Sequence, residues 1–158
     1  MEIWDAYDKD LNIVEDITLI RGQTIPEGLF HLVCDILVKH IDGTYLLMQR
    51  DTKKSYGGMW EATAGGSALR GETSLDCALR ELYEETGIKT DKLEEIGRDS
   101  NSNTIYVEFL CVTDCEKDSI KLQPGETMAY KWVSRSELLS LNAENLITER
   151  IPKQAFKL

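Results

Sequence analysis

Apolar and polar positions along this chain fall into short alternating runs, broken once by a helical period. Residues 2–7 alternate closely enough for a strand, and residues 8–12 form a polar turn after it. Residues 28–39 (GLFHLVCDILVK) are a long apolar, β-branched run, expected as a central strand. Residues 40–44 carry an Asp-Gly turn signal, and residues 45–50 (YLLMQR) are expected to return as the partner strand. Residues 55–59 are loop, and Trp60 begins a short extended piece toward Gly65 and Gly66.

The clearest helix follows. Thr73 or Ser74 can cap its start, and Gly87 stands just past its last turn, where a left-handed cap is expected. Between them Leu75, Ala78, Leu79 and Leu82 recur at helical spacing and mark the stripe expected to be buried. Residues 93–96, 104–112, 120–122 and 129–133 have strand character. Ser134 or Ser136 starts a further helix over residues 137–141, and the tail from Ile147 could form a last one. No internal repeat, low-complexity tract or linker rich in Pro, Gly or Ser divides the chain. Strands flanking helices in this arrangement predict a mixed α/β sandwich, with one domain over residues 1–158.

Composition narrows the function classes. The chain has 158 residues, 42% of them hydrophobic and 29% charged, with a formal net charge of -10. A surface this acidic repels phosphate backbones, which argues against a nucleic acid polymer or an anionic membrane as partner. A small phosphorylated ligand would meet the same repulsion unless divalent cations came between. Cys34, Cys77, Cys111 and Cys115 form no CxxC pair, and are expected as reduced, mostly buried thiols in a cytoplasmic protein. The opening residues lack a basic stretch followed by an apolar core, so no signal peptide is expected, and no apolar run reaches membrane-spanning length. His31 and His40 lie apart, on or near an apolar strand, and are expected to be structural.

Residues 66–88 (GSALRGETSLDCALRELYEETGI) carry the candidate chemistry. A glycine-bounded loop from Gly65 to Gly71 ends at Glu72, and the helix then concentrates Glu81, Glu84 and Glu85. Residues three and four apart on a helix are neighbours, about 5–6 Å between Cβ atoms, so these carboxylates share one face. They repel one another and lie in the helix's C-terminal half, where its dipole disfavours anions. A hard divalent cation such as Mg²⁺ would explain the grouping, because it takes carboxylate oxygens and is completed by substrate phosphates. Arg80 can bond Glu84 or Glu72 and fix its direction. Charge pattern alone would favour a merely solvated face; the order and spacing of the whole segment do not.

Gly66, five residues, Glu72, seven residues, then Arg80-Glu81-Leu82-Tyr83-Glu84-Glu85-Thr86-Gly87-Ile88 resembles the Nudix box at every defining position. The resemblance implies an α/β/α sandwich with a mixed β-sheet, whose loop-helix-loop box binds Mg²⁺ or Mn²⁺. By position, Glu81, Glu84 and Glu85 would hold metal and provide the base, with the carbonyl of Gly65 as a further ligand. Gly66, Glu72, Arg80 and Gly87 would brace the site. The family reaction is attack of water on a diphosphate of a small molecule, and Glu81 would take the water's proton. Glu126, in the loop Gln123-Pro124-Gly125-Glu126, is a second candidate base or ligand, with an exposed turn residue the equal alternative; Glu108 is a weaker candidate. Homodimers are frequent in the family, so a homodimer is an open expectation.

Trp4-Asp5, Arg21-Gly22, residues 28–33 with His31, residues 46–50 and Trp60 further resemble the branch that includes isopentenyl-diphosphate isomerase. Such isomerases carry a catalytic cysteine soon after the tryptophan and a metal-binding histidine after that. Gly65 and Ser67 hold those places here, and neither can protonate a carbon. A hydrolase of the isomerase-like branch is therefore expected, with isomerase and a non-catalytic nucleotide- or partner-binding module as the alternatives. Lys53 and Lys54 could touch substrate phosphate, but an exposed loop pair is the plainer expectation.

Overall fold

The computed structural model describes residues 1–142 and 144–147. Its elements in order are β1 (Ile3–Tyr7), β2 (Ile13–Ile20), β3 (His31–His40), β4 (Tyr45–Arg50), β5 (Trp60–Glu61), β6 (Thr63–Ser67), α1 (Ser74–Thr86), β7 (Glu94–Ser100), β8 (Thr104–Thr113), β9 (Thr127–Val133) and α2 (Arg135–Ser140). β1 and β2 form a separate two-stranded hairpin. The other seven strands make one mixed sheet, in the order β5-β4-β3-β8-β7, with β6 paired to β3 and β9 to β4. Among the described strands β3 and β8 pair in parallel, in register from His31↔Thr104 to His40↔Thr113, and the rest pair antiparallel.

Alternation along β3 and β4 assigns the two faces of this sheet. Cys34, Ile36, Val38, Leu46 and Met48 point to one side, where Cys77, Ala78 and Leu82 of α1 close a core. Leu37, Tyr45 and Leu47 point to the other, where Leu138 of α2 and Leu146 cover them. The expected sandwich of helix, mixed sheet and helix is therefore present. Among the described residues no helix is long and apolar enough to cross a membrane. All four cysteines are free thiols, with Cys34, Cys77 and Cys111 buried.

Several elements differ from expectation, each for a physical reason. β2 was not foreseen, because Ile13 and Ile17 are exposed at 53% and 38% and Asp16 takes a φ of 64°. That local twist breaks the strict two-residue alternation by which strands are recognised. β3 begins at His31 rather than residue 28, since Gly28 turns with a φ of 81°. β4 follows the Asp-Gly turn but meets β3 only at Lys39↔Tyr45, before the strands diverge. β3 then takes β6 as neighbour and β4 takes β9. Residues 120–122 are not a strand: the Lys121 N–H bonds the Thr86 carbonyl at the end of α1 instead of a sheet neighbour. On α1 the buried residues are Cys77, Ala78, Leu82 and Thr86, whereas Leu75 is exposed. The expected last helix, from Ile147, lies outside the described residues beyond Ile147 itself.

Candidate active site

A cleft of about 400 Å³ is floored by Gly65, Gly66 and Ser67 of β6 and walled by α1. Local chemistry fixes α1 at both ends. Thr73 accepts from the Asp76 N–H at 3.1 Å, while Asp76 accepts from the Thr73 N–H at 3.0 Å. At the other end Gly87, with a φ of 77°, donates its N–H to the Tyr83 carbonyl at 2.8 Å. Between these caps the helix presents Arg80, Glu81, Glu84 and Glu85 to the cleft.

Arg80 organises the acidic groups. Its Nε and Nη2 grip Glu72 at 2.6 and 2.9 Å, a bidentate fork that holds the Glu72 carboxyl below its usual range. Nη1 reaches Glu81 at 2.6 Å and Glu84 at 3.3 Å, and Nη2 also donates to the Ser67 carbonyl at 3.1 Å. Glu72 in turn accepts from the Leu69 N–H at 2.9 Å, so one guanidinium ties the loop to the helix. Glu85 instead accepts from the Gly65 N–H at 3.1 Å. Burial, then the charges of Glu61 and Glu81, push its carboxyl up to about 8. Burial also raises Glu81 and Glu61.

The glycines are required by space. A Cβ on Gly65 would run into the Cys34 carbonyl oxygen, and one on Gly66 would lie 2.5 Å from Oε1 of Glu81. Gly66 thus lets the Glu81 carboxylate approach the loop. The carboxylates Glu81, Glu84 and Glu85 and the main chain of Gly65 and Gly66 line the same cleft. Among the described residues, no three His, Cys, Asp or Glu side chains converge into one ready cation cage; Arg80 shares Glu81 and Glu84 between its own contacts.

Basic side chains line the rest of the cleft. Arg50 donates to Glu61 at 2.9 Å and to the Ser55 carbonyl at 2.8 Å. Lys54 is ion-paired with Glu126, whose carbonyl also accepts from the Asp51 N–H at 2.9 Å. Burial, then the neighbouring Arg50, lowers the Lys54 ammonium. Glu126 is therefore a cleft residue bonded to Lys54, and of the lysine pair Lys54 is partly buried in the cleft while Lys53 is exposed. Glu108 is fully buried on β8 beside Asp35 of β3 and does not line the cleft. Cys77, on α1, donates to the Gly66 carbonyl at 3.5 Å and is packed into the core.

Glu2, Arg21, Arg50 and Glu61 also line this cleft and were not among the expected site residues. They come from the ends of β2, β4 and β5 and the start of the chain, and share no spacing that would announce them. His31 stacks on Trp4 with ring centroids 4.4 Å apart, a structural role as expected.

The chain as a whole is similar to known proteins. A family model described as NUDIX domain matches residues 29–153. An uncharacterized Nudix hydrolase of Listeria innocua is 30% identical over 146 residues, covering 90% of this chain and 86% of its own. Another, from Pseudomonas aeruginosa, is 32% identical over 147 residues, covering 90% and 82%. A crystal structure from Deinococcus radiodurans superposes with a TM-score of 0.78 at 16% identity, covering 99% of this chain and 98% of that one. The NUDIX domain of Shewanella oneidensis NrtR, complexed with ADP ribose, gives 0.62 at 18% identity, covering 81% and 87%.

Proposed function

The chain belongs to the Nudix family, whose hydrolases act on pyrophosphate bonds, and from that premise we propose a metal-dependent diphosphatase of a small molecule. The observation that carries the proposal is that Glu81, Glu84 and Glu85 of α1 line one cleft with the main chain of Gly65 and Gly66. The donor set fits Mg²⁺ or Mn²⁺: every candidate ligand is a hard oxygen, from three carboxylates and the Gly65 carbonyl. The raised Glu85 carboxyl points the same way: burial, then crowding with Glu61 and Glu81, disfavours its ionised form, a penalty that a bound dication would offset. A bound cation would supply charge neutralisation at the phosphate oxygens and acidify a water.

The chain's own residues do the rest. Glu81, partly buried and held toward the loop by Arg80, takes the proton of the attacking water. Arg80 is a positioning residue: gripping Glu72 with one edge, it sets the direction of Glu81 and Glu84 with the other. Arg50 and Lys54 face the carboxylates and lessen the repulsion that a diphosphate would meet in so acidic a chain. Glu126, bonded to Lys54, sets where that ammonium stands and is a further candidate ligand. Gly65 and Ser67, in place of the isomerase's cysteine and histidine, support hydrolysis over isomerisation.

The test is release of phosphate or pyrophosphate from a panel of diphosphate compounds, with and without Mg²⁺, including isopentenyl diphosphate checked for isomerisation. Metal-dependent hydrolysis of any member is the expected result. Isomerisation, or silence across the panel at alkaline pH with metal present, would refute the proposal.

A further inference from the structure

The β1–β2 hairpin lies outside the span that the family model matches, yet it is built into the candidate site. Trp4, Ala6 and Leu19 give it a small core of its own. Its first strand is bonded to the box loop: the Arg70 N–H donates to the Ile3 carbonyl at 2.9 Å, and the Gly71 N–H to the Asp5 carboxylate at 2.7 Å. Tyr7 exchanges two 2.9 Å backbone bonds with Phe30, next to the start of β3. These attachments carry Glu2 and Arg21 to the cleft, joined by a 2.8 Å ion pair.

Arg21 differs from the other cleft cations in exposure. The Arg50 and Lys54 side chains are 18% and 27% exposed, whereas Arg21 is 66% exposed. It therefore stands at the mouth and the other two stand deeper. Arg21 is held by one carboxylate, Glu2, whose other oxygen accepts from the Trp4 indole at 2.7 Å. A single exposed ion pair is weak and readily exchanged, and a guanidinium prefers a phosphate that it can bond with two parallel N–H groups.

We propose that the hairpin is the substrate-selecting element, in which Arg21 leaves Glu2 to bind a phosphoryl group beyond the scissile diphosphate. The preferred substrates are then diphosphates that carry a further phosphate. This rests on the diphosphatase reading above. Glu2 acts as the competing anion, which discourages uncharged leaving groups and yields to charged ones.

The experiment compares kcat/KM within matched pairs that differ by one phosphoryl group, ADP with ATP and NADH with NADPH, using the full chain with Mg²⁺. Wild type favours the more phosphorylated member. Arg21→Ala lowers that preference about ten-fold or more, through KM, as one charge-assisted contact is lost, and Arg21→Lys recovers part of it. Glu2→Gln keeps an acceptor for Trp4 but frees the arginine, so the preference rises. Opposite effects at the two ends of one ion pair are not what a merely structural bridge would give. An unchanged preference in Arg21→Ala, or a fall in both variants alike, overturns the inference. Silence of wild type toward both members of both pairs and the wider panel removes the diphosphatase reading and this one with it.

Discussion

Replacing Gly66 with alanine isolates the placement of one carboxylate. The added Cβ would lie 2.5, 2.6 and 2.8 Å from Oε1, Cδ and Oε2 of Glu81. Ordinary contact begins at 3.4 Å, so the carboxylate must retreat by roughly 0.9 Å. Glu81 cannot do so freely, because its side chain is only 13% exposed and Arg80 holds Oε1 at 2.6 Å. A misplacement of about 1 Å at a reacting group can cost about 100-fold in rate. Gly66 is not in the left-handed region, so alanine costs the backbone no unusual conformation. Gly66→Ala is therefore expected to lose about 100-fold in kcat while melting close to wild type. Gly65→Ala is the contrast, since its Cβ meets the Cys34 main chain, which cannot move without disturbing the β3–β6 pairing; it should lower the melting temperature outright. Steady-state kinetics and thermal denaturation on both variants decide the matter. Wild-type kcat in Gly66→Ala would refute the placement of Glu81.

Other outcomes follow from the same geometry. Glu84→Gln and Glu85→Gln should each abolish metal-dependent turnover with the fold intact, and EDTA should silence the wild type; full activity in either variant would refute the metal assignment. Because the Glu85 carboxyl is raised to about 8, its protonated form is favoured in the folded state. Stability without metal should then be greatest at acidic pH and fall by a few kcal/mol, to order of magnitude, as pH rises from about 4.5 through about 8. Thermal melts across that window would show it, and Glu85→Gln should flatten the trend; a wild-type stability rising over the same range would contradict the burial of Glu85 beside Glu61 and Glu81. Leu82, fully buried between α1 and the sheet, should cost about 2–5 kcal/mol when cut to alanine. A loss below 1 kcal/mol in chemical denaturation would mean that α1 is not packed as described.

Legibility of the chain divided along physical lines. Both α1 caps, the strand character of β3 and β9, and the α2 cap at Ser134 were readable, because each depends on residues near in sequence. The buried stripe of α1 was shifted, since helical spacing shows which residues share a face but not which face the sheet will cover. Cys77 and Thr86 went under and Leu75 did not. The hairpin expectation for β3 and β4 was right about the turn and incomplete about the pairing, because divergence after one residue pair depends on β6 and β9 arriving from elsewhere. The acidic half of the cleft was legible for the same local reason as the helix. The basic half, from Arg21, Arg50 and Lys54, was assembled by topology from separate elements.

The double capping of α1 makes the segment between Thr73 and Gly87 a ruler of fixed length. One residue inserted inside it would turn everything downstream by about 100° about the helix axis. Glu84 and Glu85 would swing off the cleft wall, or the Gly87 stop would lose its place. Insertions and deletions should therefore be excluded between these two stops over the history of such chains. The connections at residues 51–59 and 114–126 carry no helical register, so a change of length there moves only the cleft residues they hold, such as Lys54 and Glu126. Divergence in what is cleaved would then accumulate as loop-length variation around a segment whose residue count never drifts.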